Sequence, residues 1–178
     1  MSDNKDTYAQ VKDQMRLSER IAAAIPGFRG YKEKEIRRES DRLIRNHLYL
    51  KLSDEKTDLR EIEQKLADRR YFDVLTDMDR LLAKMDRVVE KVNHAMEGYS
   101  GFFDAVKVRE ESLDHMIDFD NKLMDEIDAL GSEIDAFKAD LAGGVTANLK
   151  TRVQNVTDKL ESLESTFDQR NEVIMGVS

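Results

Sequence analysis

The 178-residue chain has no cysteine, no tryptophan and one proline, and its longest purely apolar run, Ile21 to Ile25, is five residues long. Without cysteine there is no disulfide, no thiolate metal site and no thiol nucleophile, so zinc fingers, redox motifs and cysteine hydrolases are excluded. The apolar run falls far short of the ~18 residues that span a membrane. Met1 to Thr7 is too polar for a signal peptide, and a cytoplasmic protein is expected, with a peripheral position at the inner membrane face as the alternative. Also missing are a Ser-His-Asp order, a nucleophile elbow and a metalloprotease helix. The residues three before His47, His94 and His115 are Ile44, Lys91 and Ser112, so the Glu-x-x-His pairs of di-iron bundles are absent as well. Neither catalysis nor a cofactor is expected.

What remains is charge and period. Lys and Arg number 29 and Asp and Glu 37, and 40% of residues are apolar, so a core has to be built from thin apolar stripes on long amphipathic helices. Tyr8, Val11, Met15, Ser18, Ala22 and Ile25 step by three and four and predict a first helix over 7–25. Ile36, Leu43, Ile44, His47, Leu48 and Leu50 share one side of a second, with a break or bend expected at 52–54, after which Leu59, Ile62 and Leu66 resume the period. Tyr71, Leu75, Met78, Leu82, Met85, Val89, Val92, Met96 and Tyr99 form an unbroken heptad seam. A fourth seam runs Phe102, Val106, Arg109, Leu113, Met116, Asp120, Leu123, Ile127, Leu130, Ile134, Phe137 and Leu141; a fifth carries Leu149, Val153, Val156, Leu160, Leu163, Phe167 and Ile174. Such stripes need partner helices. The expected fold is all-α: an elongated antiparallel bundle or coiled coil, spectrin-like, of four to five long helices.

Corners are expected near 26–30, 52–54, 98–101 and 143–144, dividing an N-terminal amphipathic helix (1–25) from a long-helix bundle (26–178) that forms one cooperative unit. Gly27-Phe28-Arg29-Gly30-Tyr31 and Gly98-Tyr99-Ser100-Gly101-Phe102 share the order Gly, aromatic, any, Gly, aromatic. We read this as shared corner chemistry, with Pro26, Gly27, Gly30, Gly98 and Gly101 turning the backbone and the aromatics closing the bundle end. At 98–101 a turn is favoured over one continuous helix from Tyr71 to Leu141.

Charge is two-ended. Through Lys51 there are 12 basic and 8 acidic residues, net +4, and beyond it 17 and 29, net −12. Lys34, Arg38, Arg42 and Arg45 align opposite the second seam with Arg37 beside them, a ridge suited to phosphates, anionic lipid or the acidic part of another copy. Self-pairing along the helix, Glu39 with Arg42 and Asp41 with Arg45 among others, is the stronger expectation. Nucleic acid is disfavoured by a net charge of −8 and the lack of a reading motif. Glu90/His94/Glu97 and Glu111/His115/Asp118 place possible ligands on one helical face each, yet ordinary polar surface is the expectation and no metal site is assigned. The seam residues His47, Arg109 and Asp120 are expected to set register or oligomer state.

The stretch Ile25-Pro26-Gly27-Phe28-Arg29-Gly30-Tyr31-Lys32-Glu33-Lys34-Glu35-Ile36-Arg37-Arg38-Glu39-Ser40-Asp41-Arg42 resembles a segment of uncharacterised prokaryotic helical proteins. The order of amphipathic helix, Pro corner, basic helix and acidic seam resembles the layout of phage-shock and ESCRT-III-like proteins, a resemblance that implies assembly on anionic membranes. The reading as a whole is a non-enzymatic, self-associating scaffold or adaptor whose partners are its own copies or other helical proteins; the alternative is a peripheral membrane protein that docks on anionic lipid through its basic N-terminal region.

Overall fold

The computed structural model describes residues 15–30, 37–98 and 110–175, the side chains of 37, 38, 96–98, 110–113, 174 and 175 excepted. Among them the chain forms five helices and no strand. They are α1 (15–24), α2 (Arg37–Asp68), α3 (Phe72–Gly98), α4 (Glu110–Ala142) and α5 (Leu149–Met175). At 1.5 Å per residue the 33 residues of α4 make a rod about 50 Å long. No described helix is long and apolar enough to cross a membrane.

Helices α2 to α5 form a four-helix bundle in which α2 packs on α3 and α4, and α5 likewise packs on α3 and α4. Ion pairs give the directions. Lys56 and Arg60 meet Asp86, and Arg152 meets Glu133 and Asp140, so α2/α3 and α4/α5 are antiparallel hairpins. Lys138 lies 2.7 Å from Asp58 while Arg69 donates to the carbonyl of Leu141, so α2 and α4 run parallel. Lys84 meets Glu161 and Lys91 meets Asp168, so α3 and α5 do too. Consecutive α3 and α4 therefore run in opposite directions across a diagonal, and a continuous rod from Tyr71 to Leu141 is ruled out. The corner residues beyond Gly98, Gly101 included, lie outside the described residues.

A helix that packs on two neighbours needs a wider apolar face than a two-stranded seam. On α3 the seam residues Met78, Leu82, Met85, Val89 and Val92 are buried, and so are Val74, Leu81 and Val88 one step aside at heptad spacing. On α4 every described seam residue from Met116 to Leu141 is buried, and on α5 every one from Leu149 to Phe167. A single core runs from Ile21 on α1 to Phe167 on α5.

The sequence reading needs correction at three places. No break occurs at 52–54: α2 passes straight through, with Leu52 fully buried, and the Ser53 hydroxyl donates to the carbonyl of Tyr49 at 2.7 Å instead of capping a new helix. The chain turns instead at 69–71, a segment with neither Gly nor Pro. On α1 Ile21 is buried, as are Ile25 and Phe28 in the segment that follows it, whereas Met15 is 56% exposed and Ala22 faces solvent. Leu50, placed on the seam of α2, is 53% exposed.

Candidate functional site

The polar residues of the core gather at the end of the bundle where α2 and α4 begin and α5 finishes. On α5 the seam steps by three from Phe167 to Arg170, so the helical period itself aims this side chain inward. Asp41 precedes Ile44 by three on α2, and Asp120 precedes Leu123 by three on α4. All three are at most 1% exposed. The Arg170 guanidinium crosses the bundle diagonal, donating from Nη1 to Asp41 Oδ1 at 2.8 Å and from Nε to Asp120 Oδ1 at 2.5 Å. Asp41 also accepts from Arg45, Nε to Oδ2 at 2.9 Å, one turn along the same helix. Thus, among the described residues, two cations and two anions on three helices meet in one layer.

Burying an ion away from water is expensive unless it is paired and hydrogen-bonded, and each carboxylate here has a guanidinium donor. The bonds also fix geometry. A guanidinium presents donors in one plane, and Arg170 uses two of its edges on two different helices. Around the layer, Ser40 Oγ donates to the carbonyl of Gly30 at 2.9 Å, tying the α1–α2 connection to the start of α2. Asn121 Nδ2 donates to the carbonyl of Ile117 at 2.9 Å. Chemically this arrangement holds helices together: its charged groups face one another, not solvent.

Of the residues singled out in the basic ridge, Lys34 lies outside the described residues, as do the side chains of Arg37 and Arg38. Arg42 is exposed and bonded to Glu39 at 3.0 Å. Arg45 does not stand on the outer ridge. It is 5% exposed and points into the bundle, because positions 41, 45, 48 and 52 share the inward face of α2. His47 is half-buried, and loss of hydration, followed by Lys51, lowers its pKa against a smaller opposing pull from Asp128. Arg109 lies outside the described residues, and Asp120 is part of the layer. Pro26 sits in the turn after α1, with Gly27 at φ 88° and Gly30 at φ 85°, values that side-chain-bearing residues rarely adopt. His94 is exposed, 3.0 Å from Glu90, and His115 is exposed. Among the described residues no three His, Asp or Glu side chains are grouped to hold a metal ion. Arg170 was missed in the sequence, although the step of three from Phe167 lands on it.

The outer surface is charged unevenly. Helix α4 carries eleven acids against two lysines, a net of −9. Asp114, Asp118, Asp125, Asp128 and Asp135 lie on its exposed face. The N-terminal helix α1 rests beside this face, with Arg20 bonded to Asp125.

No protein-family model matches this chain, and no curated protein or solved structure matches it either.

Proposed function

We propose that the chain is a non-enzymatic interaction module, a scaffold or adaptor whose outer faces meet other proteins, its own copies included. The observation behind this reading is the exposed acidic face of α4, five aspartates along one side of a helix already touched by a basic residue of α1. A face of this sign attracts basic partners and repels anionic surfaces. The 4-3 spacing of the seams makes packing of coiled-coil type part of the same reading. Because the described seam residues of α4 and α5 are buried within one chain, self-association would run through the charged outer faces, basic start against acidic α4. Docking on anionic lipid is a weaker reading, since Arg45 is withdrawn from its ridge and Arg42 is engaged by Glu39.

Light scattering after size exclusion, over a wide concentration range at low and high salt, tests this. A mass that grows with concentration and collapses with salt supports outer-face assembly. The triple charge reversal Asp118→Lys, Asp128→Lys, Asp135→Lys should then abolish the growth. A single-chain mass at every concentration and salt would remove self-association. Binding to anionic vesicles would favour the lipid reading.

A further inference from the structure

The seam of α2 is interrupted midway by an acid. Leu48, Leu52, Glu55, Leu59 and Ile62 follow one another at steps of four, three, four and three, so the period turns Glu55 toward α4. Opposite it stands Gly131, and a Cβ added there would lie 2.7 Å from Glu55 Oε1 and 3.4 Å from its Cδ. The carboxyl thus fills a notch that only glycine leaves open. Several other helix contacts set opposite charges face to face, Lys84 and Lys91 on acids of α5 and Arg152 on Glu133 and Asp140, while Glu63 of α2 meets another acid, Asp79 of α3. Glu55 faces Asp54 and Asp58 on its own helix and Asp135 on α4, with Lys51 as the cation that acts on it. Lys138, the nearest base of α4, is engaged by Asp58 at 2.7 Å.

We propose that Glu55 and the Gly131 notch form a proton-operated latch between α2 and α4, closed when the carboxyl is protonated and pushed outward when it ionises. A neutral carboxyl can occupy a half-buried notch lined by acids, whereas an ionised one suffers both lost hydration and repulsion from Asp58 and Asp135. Burial, reinforced by these carboxylates, accordingly raises the Glu55 pKa to about 7. The sign follows from linkage. Between the ordinary carboxylate range and about 7 the folded protein keeps a proton that the unfolded chain has released, so the latch's contribution is full at acid pH and is lost as pH rises through that window. His47, with its lowered pKa, tilts stability the other way, so the latch has to be read from differences between variants.

Two variants and one direct measurement decide the matter. Carboxyl-carbon NMR titration should show Glu55 changing charge near neutrality; a midpoint at about 4.3, the value of an unperturbed glutamate, would overturn the proposal. Thermal midpoints compared at about pH 5.5 and about pH 8.5 should fall with rising pH by several degrees more in the wild type than in Glu55→Gln. Gly131→Ala should fold well, because alanine is the better helix former. By filling the notch it should expel Glu55, return its titration to the ordinary range and flatten the same slope. If both variants keep the wild-type slope, there is no latch. Amide hydrogen exchange on α4 around Gly131 should also quicken with pH beyond the intrinsic base catalysis in the wild type and not in Glu55→Gln; exchange that follows intrinsic chemistry alone in both would count against the latch.

Discussion

Where α2 and α4 begin, the seam positions hold Asp41, Asp120 and Arg170, and toward the other end they hold Leu59, Ile62, Ile134, Phe137, Leu141 and Val153, all of them buried. Both regions are buried, yet they contribute different things. The apolar half supplies most of the driving force, since each fully buried Leu, Ile or Phe side chain is worth about 1.5–3 kcal/mol relative to exposure. It is poor at specifying register, because a helix that slips by one heptad still sets apolar on apolar. The ionic layer reverses those properties. Its desolvation offsets much of its Coulomb attraction, but only one alignment of α2, α4 and α5 brings two carboxylates to the two sides of one guanidinium. Register in this bundle is read at one end and stability is gathered along the rest.

Substitutions can break that division from either side. The largest effect is expected from Ile134→Asp in the apolar half, where an ionised carboxylate has no partner. Its cost exceeds about 4–5 kcal/mol, a large part of a typical domain's total stability, and circular dichroism on heating should show no cooperative transition. Arg170→Ala should cost about 3–5 kcal/mol because it removes the buried cation that Asp41 and Asp120 share; urea unfolding measures it. The sharper comparison replaces the whole layer: Asp41→Leu, Arg45→Met, Asp120→Leu and Arg170→Met together. Arg45 must be included, since it would otherwise lose Asp41, its partner at 2.9 Å. If the layer specifies more than it stabilises, the quadruple variant should be as stable as the wild type or better by about 1–4 kcal/mol, with broadened NMR signals or a changed oligomeric mass. A quadruple variant that is strongly destabilised would show that the layer is a source of stability after all.

The same division explains what could be read in advance. All-α architecture and the seams of α3, α4 and α5 are written in the 4-3 period, because a helix buries one face whatever its partner is. Asp120 was visible as a polar residue on a seam. Arg170 and Asp41 lay on the same periods, but nothing within one helix says that two acids and an arginine from three helices share a level. Arg45 was assigned to an exposed ridge because a basic residue next to Arg42 looks solvated until Asp41 is known to be buried. Leu52-Ser53-Asp54 looked like a helix start, since serine and aspartate favour caps; with leucines continuing on both sides, burial kept the helix going. The turn at 69–71 lacked its usual signal entirely.

That turn offers the smallest and cleanest comparison. The hairpins α2/α3 and α4/α5 close with the same hydrogen bonds. Tyr71 N donates to Leu66 O at 2.9 Å and Arg70 N to Ala67 O at 3.0 Å, while Val145 N donates to Asp140 O at 2.9 Å and Gly144 N to Leu141 O at 3.3 Å. Both are Schellman endings, which need a left-handed residue just past the helix. In one the residue is Gly144 at φ 74°, in the other Arg70 at φ 61°. A side chain in that conformation costs about 1–2 kcal/mol, and the first hairpin bears this because Tyr71 packs against the core behind it. Arg70→Gly should therefore stabilise the protein by a few tenths to about 1 kcal/mol, the relief of strain being partly cancelled by the greater freedom of glycine in the unfolded chain. Gly144→Ala, with nothing within 4 Å of the added Cβ, should destabilise by about 1 kcal/mol through backbone strain alone. Opposite signs in paired denaturant titrations would show that the two helix endings share one backbone geometry and differ in which residue carries its left-handed position. A loss of stability in Arg70→Gly would mean that the Arg70 side chain holds the first hairpin in a way its backbone does not require.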